Sequence, residues 1–177
     1  MNKIRTGDDY LRIFPKIFEK VKYSLDSWDF KDINLASKGG AKRGAFILGS
    51  CFIDHLSCYY FGEESKNSNY AGFVNKYLSM YDGHELYKDI RCKLVHNYSL
   101  GNQYAITHNH SKLHLKKDFD GRTLINLKNF IREINDAKEE YFAELKNNEQ
   151  LQVNFAKWYT NGGVLVPVDS ELPPKQT

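Results

Sequence analysis

Apolar residues recur at steps of three and four through Leu11, Phe14, Phe18, Val21, Leu25 and Trp28, the signature of one buried face on an amphipathic helix. Asp8 or Asp9 stands where a cap belongs, and Pro15 lies inside the stripe. Proline lacks the N–H and crowds the preceding turn, so the regular helix is expected to begin near Pro15 or to kink there. From Asp29 to Arg43 the period is lost and the segment reads as a loop. Ala45 to Phe61 is apolar almost all round, which predicts a central, buried helix. Ser50, Asp54 and Ser57 form a narrow polar stripe on it, with His55 alongside. A buried carboxylate needs a partner, so Asp54 is expected to accept from Arg91 or His96 on a neighbouring helix, or from a backbone amide or tyrosine.

Gly62 to Asn69 is polar, and Phe73, Val74, Tyr77, Leu78 and Tyr81 then return to helical spacing, predicting a helix from Tyr70 to Tyr81 capped by Asn69. Asp82-Gly83 breaks it, and the next helix is expected from about His84 to Tyr98. Beyond Leu100-Gly101 the pattern changes. Gln103 to Thr107 and Leu113 to Lys117 read as strands, Asp120-Gly121 is a tight-turn signal, and Arg122 to Ile125 adds a third short run. A long amphipathic helix comes next from Leu127 to Leu145 with Asn126 as its cap, then a shorter one from Leu151 to Tyr159. The expected fold is therefore mostly α: a helical bundle with a small antiparallel β-hairpin appendage over 103–125, one domain spanning 1–177, and an irregular tail over 161–177.

Composition adds bounds rather than function. Apolar residues at 41% and aromatics at 14% exclude general disorder. The net charge of +3 and pI near 8.6 permit an anionic partner without requiring one. Three widely spaced cysteines, Cys51, Cys58 and Cys92, with no Cys-x-x-Cys, read as reduced thiols. The first residues lack a signal-like apolar run, and Ala45–Phe61 is interrupted by polar residues and too short for a bilayer, so a cytoplasmic protein with no membrane span is expected. Ser37-Lys-Gly-Gly-Ala-Lys-Arg-Gly44 is a basic, glycine-rich run ahead of a helix, able to hold a phosphate on free amides. No Gly-Lys-Ser/Thr closes it as a P-loop, and a solvated linker is the simpler reading. His108, His110 and His114 crowd the β-appendage and are weak candidates for a metal site. Without a cysteine, and with only Asp118 and Asp120 nearby, exposed histidines are the simpler reading, and no cofactor is expected.

The stretch from Leu86 to Tyr98, LYKDIRCKLVHNY, combines a permanent cation, Arg91, with an imidazole, His96. On an ideal helix of about 100° per residue, Leu86, Ile90 and Leu94 form the core face, Arg91 lies about 100° to one side and His96 about 120° to the other. The two side chains flank a second face with Lys88, Cys92 and Val95. A half-apolar second face is most simply covered by another helix or by a second copy of the chain, and two-fold symmetry would gather two arginines and two histidines.

Arg-x4-His in RCKLVHNY, after a helix such as GAFILGSCFIDHLSCYYFG, resembles the HEPN superfamily (higher eukaryotes and prokaryotes nucleotide-binding) over roughly residues 8–98. The resemblance implies a helical bundle that homodimerises along the motif helices and a metal-independent endoribonuclease, often a toxin or antiphage effector. Carried over, Arg91 and His96 are the catalytic pair, with Asn97 and Asp54 as assisting candidates. Cys92 stands where the family often has a polar residue. The implied partners are RNA, a second copy of the chain and an antitoxin. The alternative within the resemblance is a non-catalytic module that binds nucleotide or RNA, or docks a nucleotidyltransferase-type partner. The chemistry suits the residues. RNA carries its own 2′-hydroxyl nucleophile, an imidazole titrates near neutrality and serves either proton role, and a guanidinium matches phosphate oxygens.

Overall fold

The chain enters its first helix through a reciprocal cap at Thr6. Thr6 Oγ1 accepts from the Asp9 N–H, and the Asp9 carboxylate accepts from the Thr6 N–H at 2.9 Å. The computed structural model describes residues 6–162, so the expected irregular tail beyond them lies outside the described residues. Helix α1, Gly7–Ser24, continues through Pro15, which is exposed. The helix thus begins eight residues before the proline rather than at it.

A π-helical turn, Leu25–Asp29, joins α1 to α2, Phe30–Lys38. This corrects the expected loop from Asp29 to Arg43. The wider turn changes the phase of the apolar stripe, so Leu25 stays in the core while Trp28 swings out to 44% exposure and Ile33 takes over the buried face. It also aims Asp26 inward at Lys138, which is 2% exposed and also lies 5.2 Å from the Phe30 ring. Burial alone would raise the Asp26 carboxyl, but hydrogen bonds from Lys138 and Lys22 hold it below its ordinary range. Only Gly39–Ala41 separates α2 from α3, and Gly40 makes that corner with φ of 91°.

Helix α3, Lys42–Phe61, is the central one, packed against α2, against α4 (Asn67–Tyr77) and against α7 (Leu127–Leu145) and α8 (Glu149–Asn161). Helix α4 starts and stops earlier than the periodicity predicts. Its cap position is Lys66, while Asn69 sits inside it, donating to the Glu63 carboxylate. Phe155 of α8 is fully buried among Tyr59 at 4.5 Å, Phe14 at 5.6 Å and Phe18 at 6.0 Å, ring centre to ring centre. The core is thus an aromatic junction of α1, α3 and α8. Among the described residues no helix is long and apolar enough to cross a membrane.

From Gly83 to Asn97 the chain is one helical path in three parts: α5, Gly83–Leu86; a π-helical turn, Tyr87–Cys92; and α6, Lys93–Asn97. Its buried Asp89 anchors the segment from Gly101 to Tyr104. The Asp89 carboxylate accepts from the Gln103 N–H at 2.5 Å and the Tyr104 N–H at 3.3 Å, and its carbonyl accepts from the Gly101 N–H. A Cβ on Gly101 would lie 1.8 Å from Asp89 Oδ1, so only glycine lets the chain cross the carboxylate. Gly101→Ala is expected to destabilise the protein by about 1–3 kcal/mol, the usual cost of overpacking. A urea midpoint unchanged from wild type would refute that close approach.

Strands β1, Tyr104–Thr107, and β2, Thr123–Asn126, pair in parallel, in register from Tyr104 opposite Thr123 to Thr107 opposite Asn126. The expected antiparallel hairpin is therefore corrected. Ser111–Leu113 forms a 3₁₀ turn, and Leu115 adopts a left-handed φ of 61°, which interrupts the extended run expected from Leu113 to Lys117. One antiparallel bridge, Lys117 to Thr123, survives beside the turn at Gly121. The appendage is held down by His114. Its Nδ1 accepts from the Asn126 N–H at 3.0 Å, and its Nε2 lies 3.0 Å from the Glu133 carboxylate of α7. Tyr81 donates to the same carboxylate at 2.6 Å.

Candidate functional site

Asp82 starts the motif helix by accepting the Glu85 N–H at 3.0 Å. Gly83 permits a tight approach to α4, since a Cβ there would meet Ala71 backbone at 2.6 Å. Leu86, Ile90 and Leu94 are all buried, as the wheel predicts. The π-helical turn from Tyr87 to Cys92 was not legible in that wheel, which assumes a uniform α-helical step.

Arg91 emerges from this turn onto α3. Its Nε donates to Asp54 Oδ2 at 3.0 Å, Nη2 lies 2.8 Å from the same oxygen as an ion pair, and the guanidinium lies 5.7 Å from the Tyr87 ring centre. The other carboxylate oxygen of Asp54 accepts from Ser65, whose hydroxyl is 3.0 Å from that of Ser57. Burial would lower the Arg91 guanidinium, but the Asp54 carboxylate more than compensates and keeps it above its ordinary value. Of the two partners expected for Asp54, the structure brings it Arg91 and not His96. The guanidinium retains donors. Among the described residues Nη1 makes no hydrogen bond, and the side chain remains 24% exposed. Asp54 and Tyr87 thus fix the orientation of a fork whose outer edge is open.

His96 points away from that pair. It is exposed and, among the described residues, has no hydrogen-bond or ion-pair partner, and Asn97 beside it is exposed as well. Val95 and Tyr98 are 38% and 58% exposed, and Leu48 on α3 is 39% exposed. Tyr98 ends the helix in a left-handed conformation, with the Arg43 guanidinium 5.4 Å from its ring. Cys92 is half-buried, as is Cys51, whose thiol is raised by burial and tempered by the Arg91 charge. Burial pushes the Cys58 thiol up to about 11. All three cysteines are free, and Cys51 and Cys58 stay protonated near neutrality, which argues against thiolate chemistry at either.

The structure therefore brings Arg91 and Asp54 together and leaves His96 and Asn97 apart from them within one chain. Removing Arg91 strands the Asp54 carboxylate, which is 14% exposed. Arg91→Ala is expected to cost about 2 kcal/mol, between the ~0–1 of exposed pairs and the ~3–5 of fully buried ones. Asp54→Asn with Arg91 intact should cost less, and equal losses in urea unfolding would contradict the stranded-carboxylate account.

The three appendage histidines do not converge. His114 is buried on Glu133, while His108 and His110 are exposed, and among the described residues no group of three His, Cys, Asp or Glu side chains is placed to hold a metal. Asp89 and Ser65 went unread in the sequence, and the solvated outer face expected of α7 through Arg132, Glu133, Lys138, Glu139, Glu140 and Lys146 is corrected at Glu133 and Lys138, which are buried. Asp89 and Glu133 carry a signal in hindsight, because each falls on the core side of its helix, where a carboxylate must be receiving hydrogen bonds. Ser65 lies in a polar loop with no such mark. No family model matches the chain, and no curated protein or solved structure matches it either.

Proposed function

We propose that the chain is a metal-independent endoribonuclease of HEPN type, acting at a site completed by a second copy across the Val95–His96–Tyr98 surface. The observation that carries the reading is the division of the motif: a cation oriented by Asp54 and Tyr87 with an open outer edge, and an unpartnered imidazole on an uncovered, half-apolar helix face among the described residues. That division suits a shared site, because a face carrying Val95, Tyr98 and a free imidazole is the kind two chains bury together.

In this reading one His96 takes the proton of the 2′-hydroxyl and the other protonates the 5′-oxygen leaving group. The 2′-oxygen bonds to phosphorus, the bond to the 5′-oxygen breaks, and a 2′,3′-cyclic phosphate remains. The Arg91 edge stabilises the charge that grows on the phosphoryl oxygens. Asp54 acts as a positioning residue, and Asn97 lies beside the imidazole it would assist. The test is incubation of purified protein with single-stranded RNA in EDTA, alongside light scattering of the same sample. A dimer that yields cyclic-phosphate ends supports the proposal, and a strictly monomeric protein overturns it.

The ion pair favours a second reading. Arg91 hydrogen-bonds and ion-pairs with Asp54, so its charge is locally compensated. A non-catalytic module using the same face to bind RNA, or to dock a nucleotidyltransferase-type antitoxin, needs no more than this. A dimer that binds RNA without cutting it would select that reading.

A further inference from the structure

A second feature stands apart from the Arg91 motif. Helices α2 and α7, the start of α3 and the end of β1 enclose a cleft of about 630 Å³. Lys38, Lys42, Lys128 and Arg132 line it together with His108, and among the described residues no carboxylate does. In a chain with 25 Lys and Arg against 22 Asp and Glu, four cations around one cavity with no acid between them is a strong local departure from the average.

The charges are also uncommitted. Among the described residues the side chains of Lys38, Lys128 and His108 have no hydrogen-bond or ion-pair partner. Lys42 donates to the Ser37 carbonyl, an uncharged acceptor, and Arg132 makes a 3.5 Å contact with Glu133, whose carboxylate already serves Tyr81 and His114. The floor is apolar, through Phe30, Leu127 and Ile131, and Asn34 and Asn135 line the same space, with Asn34 Nδ2 already donating to the Phe30 carbonyl at 3.0 Å. The volume falls within the ~300–1,000 Å³ of small-molecule sites. Guanidinium and ammonium groups match phosphate oxygens, carboxamides match the edge of a nucleobase, and the apolar floor suits its flat ring.

We propose that this cleft binds a free nucleoside phosphate. The Ser37–Gly44 run is then more than a solvated linker, because Lys38 and Lys42 face the cavity from the two helices it joins. His108, unused by any metal, lines the same space. The site is independent of RNA cleavage at Arg91 and His96.

The experiment is isothermal titration of full-length His96→Ala protein with ADP, GDP, CDP and UDP, so that RNA cleavage neither contributes nor interferes. Adenosine and inorganic pyrophosphate are the control titrants. At least one diphosphate should saturate the protein and bind more tightly than either control. Lys128→Ala combined with Arg132→Ala, both exposed positions, should weaken that binding roughly tenfold or more, from lost hydrogen bonds to charge. Higher salt should weaken it further. No saturable binding of any diphosphate would overturn the proposal, as would a double variant that is folded by circular dichroism and binds as wild type does. Adenosine binding as tightly as ADP would remove the phosphate from the recognition, and pyrophosphate binding as tightly as the best diphosphate would remove the nucleoside. Either result refutes a nucleotide site.

Discussion

Glu133→Ala is expected to cost about 4 kcal/mol of unfolding free energy, from ~1–3 for each of two buried donors left without an acceptor. The first is the Tyr81 hydroxyl, 2.6 Å from Glu133 Oε2, which burial and the adjacent carboxylate keep protonated far above its ordinary range. The second is His114. Its Nδ1 accepts the Asn126 N–H, so the proton of a neutral imidazole sits on Nε2 and points at Glu133. Both donors are nearly inaccessible to water, with Tyr81 3% exposed and the His114 side chain 7%. Leucine at 133 fills the space yet strands the same donors, so it should not rescue, whereas glutamine keeps one acceptor and should cost about half as much. Arg132→Ala, at an exposed neighbour, should stay within ~0.5 kcal/mol. Urea unfolding by tyrosine fluorescence reads all four. Amide exchange should show strand Tyr104–Thr107 loosening in Glu133→Ala, because His114 and β2 are what tie it to α7. A loss below ~1 kcal/mol would mean the two donors do not depend on one carboxylate.

This latch shows where sequence reading stops. The helices were legible because burial imposes a period: Phe14, Phe18 and Val21, or Phe130, Ile134, Tyr141 and Leu145, leave a record at every turn. Caps were legible where they are local, as with Asn126, which accepts from the Lys128 and Asn129 N–H groups. Strand direction was not. Asp120-Gly121 did mark a real turn, but Leu115 breaks the extended run before it, and no periodicity reports a single left-handed residue. The two π-helical turns were equally silent. The first widens the backbone through Leu25–Asp29, which is why Trp28 reads as core and is found outside.

The candidate site was legible to the same depth. Asp54 on an apolar helix demanded a partner, and Arg91 on the facing helix meets that demand. The exposure of Val95 and Tyr98 agrees with a second face left uncovered in one chain. The cleft was invisible, because Lys38, His108 and Arg132 are far apart in sequence and share no period. Tertiary packing of α2, α7 and the segment after β1 brings them together.

His96→Ala is expected to lower RNA cleavage by ~10²–10⁴-fold, the range that general acid–base groups contribute. The fold should not change, since the side chain is exposed and bonded to nothing among the described residues. Urea unfolding within ~0.5 kcal/mol of wild type would separate a chemical defect from a structural one. The sharpest form of the test mixes chains. A heterodimer of wild type and His96→Ala carries one histidine where two are needed, so its activity should fall close to that of the His96→Ala homodimer rather than to half of wild type. Half-activity would mean that each His96 works alone with its own Arg91, and cleavage retained by the homodimeric variant would remove His96 from the reaction altogether.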